Sequence, residues 1–208
     1  LKFFDEEDLF EKNLVEKGQI SGHQSHFFRA ACNFIHQGLT NIDPNQYSFE
    51  QIVQDLCRHP HLSLLILEAF ELKFHPTNHD YNRYEKVIDT FHDSLRSLDT
   101  GQPFHDERKK NVLKVGMDFV IYCLKTNFFQ SHKTALGFRI DPEYLTKNPI
   151  SNKEFFPEVP YGIFFIIGMH FLGFHIRFKD LSRGGLRTVI SRELEQITIE
   201  RNQAFIEC

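Results

Sequence analysis

The most constraining feature of this 208-residue chain is a change in its hydrophobic period near residue 126. Before that point, apolar residues recur every three to four positions, which is the spacing of a helix that buries one face. After it, apolar residues run together or alternate with polar ones, as is typical of strands. The sequence therefore predicts an α+β or α/β protein. Residues 1–125 form a mainly helical region, and residues 126–208 form a partial α/β domain in which helices flank a mixed β-sheet.

Helix signals occur throughout the first part. Ser48 is followed three residues later by Gln51, the pattern of a capping box, which predicts a helix that ends near Pro60. The longest predicted helix covers residues 104–124. The 23 Phe residues are expected to fill the core, because Phe buries a large apolar area without a polar tip. Apolar stripes predict further helices within residues 28–39, 62–70 and 81–98.

Strand signals occur in the second part. The segment at 162–168 is a continuous apolar run, as expected of a strand buried on both faces. Gly173 lies in the short connection to the next apolar segment, so a hairpin is predicted. Ser191 is expected to cap a helix over residues 192–205. The three predicted strands lie near residues 133–140, 162–168 and 174–180.

Composition and charge argue against two kinds of partner. A net charge of −4 and a pI near 6.3 are not those of a general nucleic-acid binder, which carries a basic face. Glycines, histidines and an arginine interrupt the apolar run over residues 159–178, whereas a membrane span needs about 20 nearly charge-free residues. We therefore expect neither a nucleic acid nor a membrane as a partner.

The four cysteines lie far apart and form no C-x-x-C motif, so neither a zinc ribbon nor a thioredoxin-type site is written in the sequence. An acidic N-terminus is unlike a secretory signal, and together these features favour a reducing, cytoplasmic location. The start at Leu1 and the end within an apolar-periodic segment lead us to expect a piece of a longer protein.

Two histidine groups are candidate metal ligands: His23 with His26, and Cys57 with His59 and His61. The first lacks the glutamate of the zinc-protease motif, and a proline interrupts the second. We favour the alternative, surface and helix-cap histidines, and expect no metal. The sequence also contains neither G-x-S-x-G nor G-x-G, which argues against a nucleophile elbow and a dinucleotide-binding loop.

The strongest local signal is the turn that follows the last predicted strand. Gly184 and Gly185 allow the backbone to turn sharply and approach a ligand closely. Arg183 and Arg187 flank them with planar guanidinium groups suited to a carboxylate or a phosphate. Spacing alone leaves two interpretations open, an anion-binding turn and a plain hairpin turn with solvated arginines.

The preceding strand carries a polar side that leads into this turn. Its alternation places His175, Arg177 and Lys179 together, opposite the apolar residues. Arg177 and Lys179 would add positive field to an anion-binding turn. The favoured alternative for these two is a solvated strand face.

Five segments, taken in order, resemble the large-subunit NAD-dependent glutamate dehydrogenases. The resemblance covers roughly residues 105–208, and the helical residues 1–104 match only loosely. It implies a parent enzyme, a homo-oligomer, that oxidises L-glutamate to 2-oxoglutarate and ammonia with NAD. The five segments are residues 124–130, 135–142, 156–165, 174–180 and 183–187.

The resemblance also implies roles for the turn. In the smaller glutamate dehydrogenases the corresponding turn reads K-G-G-L-R, and its Lys helps to bind a substrate carboxylate. Arg183 stands in place of that Lys here. The implied substrate-binding residues are therefore Arg183, Gly184, Gly185 and Arg187, with Arg177 and Lys179 in support.

The family's downstream catalytic lysine motif and its Rossmann domain have no counterpart in this sequence. We therefore expect no catalytic residue in this chain. The leading hypothesis is a fragment of an NAD-dependent glutamate dehydrogenase that contributes the region binding the substrate carboxylate. The alternative is a non-catalytic regulatory or scaffold module that retains the motif without activity.

The first prediction is that the isolated 208-residue chain has no measurable glutamate dehydrogenase activity and does not bind NAD specifically. The reason is that it lacks both a dinucleotide fingerprint and the downstream lysine motif. Following NADH absorbance with purified chain and L-glutamate checks the activity, and calorimetry with NAD checks the binding. Turnover of glutamate by the pure chain would contradict the prediction.

Overall fold

A computed structural model describes residues 10–17, 19–40, 43, 45–99, 101, 103–147, 160–168 and 171–177 of the chain. The chain divides into two compact units, Leu1–Cys123 and Leu124–Cys208. The α+β class predicted from the sequence is confirmed, with helices in the first unit and a four-stranded sheet in the second. The boundary predicted at residue 125 falls inside the first strand.

The first unit is helical. Its described helices coincide with the segments in which the sequence carries the helical period. A five-residue π-helix, Glu11–Val15, comes before the first α-helix. The α-helices are α1 (Gly22–Leu39), α2 (Phe49–Arg58), α3 (Pro60–Phe74), α4 (Tyr81–Arg96) and α5 (Pro103–Tyr122).

Side-chain caps explain where two of these helices begin. The Ser48 Oγ accepts a hydrogen bond from the Gln51 N–H at 3.3 Å, which confirms the predicted start of α2. The first α-helix, α1, begins with a capping box that was not predicted from the sequence. There the Gln24 N–H donates to the Ser21 Oγ at 3.2 Å, and the Ser21 N–H donates to the Gln24 Oε1 at 2.7 Å.

The prediction that the last helix continues to residue 124 is wrong by two residues. α5 ends at Tyr122, and Cys123–Thr126 is the first strand, β1. β1 lies beside the next strand in the sheet, so the backbone groups beyond Tyr122 pair across strands instead of along the helix. The apolar stripe extends unbroken through Leu124, and its period alone could not show this change of pairing partner.

Phenylalanines form the centre of the first unit, as the composition predicts. The Phe27 and Phe70 rings stack with centroids 4.4 Å apart, and those of Phe34 and Phe119 lie 4.5 Å apart. All four side chains are fully buried. Offset ring contacts of this kind add to the free energy of burial, by about 0.5–1.5 kcal/mol for each pair. These contacts join α1 to α3 and to α5.

A buried ion pair links α2 to α5. The Arg108 Nη2 donates a hydrogen bond to the Asp55 Oδ1 at 2.9 Å, and the Arg108 Nη1 lies 2.6 Å from the Asp55 Oδ2 as an ion-pair contact. Asp55 is fully buried, and the Arg108 side chain is 7% exposed. Each charge is costly to bury alone, so each group compensates the charge of the other.

The second unit contains the sheet and one short helix. The strands β2 and β3 confirm two of the predicted strands, although residues 133–135 precede β2 and are not part of it. The predicted hairpin joins two of its strands, but Gly173 lies within the second of these strands and not in the connection. The elements after β1 are β2 (Leu136–Ile140), α6 (Glu143–Lys147), β3 (Gly162–Ile167) and β4 (Leu172–Arg177), and the strand order in the sheet is β1-β2-β3-β4.

The mixed sheet expected from the sequence is antiparallel in both pairings whose registers are described, β2 with β3 and β3 with β4. The connection between β3 and β4 is the physical reason for the second. The Gly168 N–H donates to the Phe171 carbonyl at 2.7 Å, which closes a tight hairpin, and a hairpin joins only antiparallel strands. None of the α-helices that the structure describes is both long and apolar enough to cross a membrane.

One face of the sheet is packed with apolar side chains. Phe138, Phe165 and Phe174 lie directly opposite one another on β2, β3 and β4. The Phe165 ring centroid lies 6.4 Å from that of Phe138 and 5.1 Å from that of Phe174. We call this side of the sheet the core face. Its apolar row confirms the alternation predicted for the last strand.

The second prediction concerns the buried ion pair. Changing Asp55 to Ala leaves the Arg108 charge buried without its partner, so we expect the free energy of unfolding to fall by about 3–5 kcal/mol. Urea denaturation of the 208-residue chain measures this change. Arg96→Ala is the matched control, because Arg96 pairs with Asp93 on the exposed surface and its loss should leave the midpoint nearly unchanged. Equal midpoints for the two variants would contradict the assignment.

Candidate functional site

The structure places one of the predicted site residues and leaves the others undescribed. Arg177 is the last residue of β4, and its side chain is exposed. Lys179, Arg183, Gly184, Gly185 and Arg187 lie outside the described residues, as does the helix predicted over residues 192–205. The described part of the candidate site consists of the strands that precede these residues in the sequence.

Three strand ends meet at one edge of the sheet. β2 and β4 each run antiparallel to β3, so they run parallel to each other. Ile140, which ends β2, Gly162, which begins β3, and Arg177, which ends β4, consequently lie at the same edge. We call it the carboxyl edge. The last described residue of β4, Arg177, therefore lies at this edge.

The face opposite the core face carries cationic side chains near the carboxyl edge. Arg139, Phe164 and His175 lie directly opposite one another on β2, β3 and β4, and so they share a face. Arg177 lies two residues beyond His175 and projects to the same side. We call this surface, defined by Arg139, Phe164, His175 and Arg177, the basic face.

An aromatic ring forms the centre of the basic face. The Phe164 ring lies between the two flanking strands, with its centroid 6.3 Å from that of His175. It also lies over Gly162, because a Cβ at that glycine would be 3.3 Å from the Phe164 Cε2. The missing side chain at Gly162 therefore leaves the space that the ring occupies.

Arg139 was not among the site residues predicted from the sequence. It is half-buried, and its Nε atom is fully buried with no hydrogen-bond partner among the described residues. Nearly all buried donors in proteins are satisfied, so an unsatisfied guanidinium nitrogen calls for an explanation. The sequence signal that could have identified Arg139 is its position between two apolar residues, Phe138 and Ile140. The structure shows that both of these neighbours are buried.

One histidine in each of the two candidate metal-ligand groups has a different local role. The His26 Nδ1 lies 2.9 Å from an Arg29 guanidinium nitrogen. His59 joins α2 to α3, and burial, assisted by the positive charge of Lys109, lowers the pKa of its imidazole. In the described part of the chain, no three His, Cys, Asp or Glu side chains converge as a metal site.

Comparison with known proteins identifies relatives of one enzyme class. The chain is 32% identical over 168 residues, or 81% of its length, to glutamate dehydrogenase 2 of Dictyostelium discoideum. It is 30% identical over 162 residues to the NAD-specific glutamate dehydrogenase of Neurospora crassa, covering 76% of this chain. With the enzyme of the same name from Saccharomyces cerevisiae, it shares 54% identity over 81 residues, or 39% of its length.

All three relatives are named as glutamate dehydrogenases, which are oxidoreductases. The chain belongs to the family of large NAD-specific glutamate dehydrogenases. It spans about 15% of the length of the Dictyostelium and Neurospora relatives, and 7% of the yeast enzyme. No family profile matches the chain, and no solved structure matches it significantly.

The third prediction tests the packing of the basic face. Gly162→Ala places a Cβ 3.3 Å from the Phe164 ring, which must then shift, so we expect a loss of about 1 kcal/mol in stability. Chemical denaturation measures the loss, and the NMR signals of the Phe164 ring report the shift. Gly22→Ala is the control, because a Cβ there meets nothing within 4 Å. Unchanged Phe164 signals in Gly162→Ala would show that the ring does not lie over this glycine.

Proposed function

We propose that this chain supplies the substrate carboxylate-binding region of an NAD-dependent glutamate dehydrogenase. The complete enzyme would oxidise L-glutamate to 2-oxoglutarate and ammonia with NAD. The observation that carries the proposal is the position of Arg177. This exposed cation ends β4 at the carboxyl edge, and the R-G-G-L-R sequence of residues 183–187 follows from that end of the strand.

The chemistry requires cations at such a site. Glutamate and 2-oxoglutarate both carry two carboxylates, and a carboxylate held away from water needs charge-assisted hydrogen bonds. Arg183 and Arg187 would donate through guanidinium forks, while the Gly184–Gly185 backbone can approach the ligand closely. Arg177 and Lys179 would add positive field. The proposed role is binding and orientation of the substrate, without a proton-transfer step.

NAD does not fit the residues that the structure describes. A dinucleotide site of the Rossmann type is built on a parallel βαβ unit with a glycine-rich turn. The pairings of β2 with β3 and of β3 with β4 are both antiparallel, and the sequence has no G-x-G. We therefore assign no cofactor contact to this chain, and NAD belongs to the proposed complete enzyme.

The fourth prediction addresses the turn. In the complete enzyme, Arg183→Ala removes a charge-assisted contact worth about 1.5–3 kcal/mol, so the Michaelis constant for glutamate should rise about 10- to 100-fold. The constant for NAD should remain nearly unchanged. Steady-state kinetics with each substrate varied in turn provides the measurement.

Two other outcomes have defined meanings. If both constants stay the same in a folded variant, Arg183 is a surface residue and the assignment of the turn fails. If the complete protein is folded but does not turn over glutamate at all, the regulatory or scaffold module becomes the better interpretation. Circular dichroism of the variant and the parent protein establishes that both are folded.

A further inference from the structure

We propose that Arg139 is a second carboxylate-binding residue of the same substrate site, acting from the basic face of the sheet. This inference rests on the proposed function of residues 183–187, and it names a contact that neither the relatives nor the turn motif assigns. The ligand class is a carboxylate attached to a short aliphatic chain, as in glutamate and 2-oxoglutarate.

The Arg139 guanidinium has a buried donor that is not satisfied. The Nε of Arg139 is fully buried and has no hydrogen-bond partner within the described residues. A guanidinium always carries its charge and has five N–H donors, so a buried one without an acceptor is unfavourable. A bound carboxylate would supply the acceptor, and a planar fork is the group best suited to receive it.

The nearest acid along the chain has another role. Asp141 follows β2 directly, and its Oδ1 accepts a hydrogen bond from the Glu143 N–H at 2.9 Å. This contact has the i to i+2 spacing of an Asx turn and lies directly before the short helix α6. Among the described ion pairs none involves Arg139.

Arg139 and Arg177 lie near the same edge of the sheet. Arg139 lies one residue before the end of β2, and Arg177 ends β4, so both lie next to the carboxyl edge. Two strand spacings separate β2 from β4, or roughly 10 Å. The two arginines can therefore act on one ligand at this edge of the basic face.

An apolar surface lies between Arg139 and His175 on the basic face. Phe164 lies between Arg139 and His175 on the same face and is half-buried. Its ring offers an apolar surface for the methylene groups of a substrate, and cationic or hydrogen-bonding groups stand on both sides. Apolar surface with a few well-placed polar groups beside it is the usual composition of a small-molecule site.

The test uses the complete enzyme and the variants Arg139→Gln and Arg139→Lys. For Arg139→Gln we expect the Michaelis constant for glutamate to rise at least about 10-fold, with that for NAD and the melting temperature nearly unchanged. Arg139→Lys keeps the charge but loses the fork, so the rise should be smaller. Arg83→Gln removes an exposed guanidinium from α4 and is the control for lost charge.

A purely structural role for Arg139 would lower the melting temperature and change the constants for glutamate and NAD together, and this outcome would overturn the inference. If Arg139→Gln does not fold, Arg139→Lys decides the question. A selective rise in the glutamate constant at an unchanged melting temperature then supports the inference, and an unchanged constant overturns it.

Arg183→Ala, measured in parallel, separates this inference from the proposed function. A rise in the glutamate constant for Arg183→Ala with none for Arg139→Gln rejects Arg139 and leaves the turn assigned. The reverse pattern rejects the turn and retains Arg139. If neither variant changes the glutamate constant in a folded, active enzyme, both assignments fail.

Discussion

The register of the three antiparallel strands is the constraint on which the rest of the second unit depends. Phe138, Phe165 and Phe174 meet on the core face, and this packing places Arg139, Phe164 and His175 together on the opposite face. Because side chains alternate along a strand, a slip of one residue would bury the charges and expose the phenylalanines. The packing of the apolar core thus decides on which face of the sheet the polar side chains lie.

The two units treat a buried arginine in different ways. In the helical unit, Arg108 forms an ion pair with Asp55 that includes one hydrogen bond, so its charge is compensated within the fold. In the sheet, the Nε of Arg139 is buried, and the described residues provide it with no acceptor. Compensation by the protein is typical of a structural charge, whereas a donor left open is what a ligand-binding surface requires.

Glycine has a specific use at the edge where the proposed site lies. Gly162 leaves room for the Phe164 ring, which forms the apolar centre of the basic face. Gly168 begins the tight turn that returns β4 beside β3, and its N–H donates to the Phe171 carbonyl. The hairpin in turn brings Arg177 back to the edge that Gly162 starts. The position of Arg177 beside Gly162 is therefore a consequence of one short connection.

The sequence by itself determined the local features: the helix start at Ser48, the strand that alternates through Ile176, and the change of period between the two parts. These depend on neighbours within a few residues, which a pattern records directly. Only the tertiary structure decided that α5 ends at Tyr122 and that Asp55 meets Arg108 from 53 residues away. It also decided that the Nε of Arg139 is buried with no acceptor among the described residues. Each of these outcomes depends on which distant backbone or side chain supplies the partner for a polar group, and no periodicity encodes that choice.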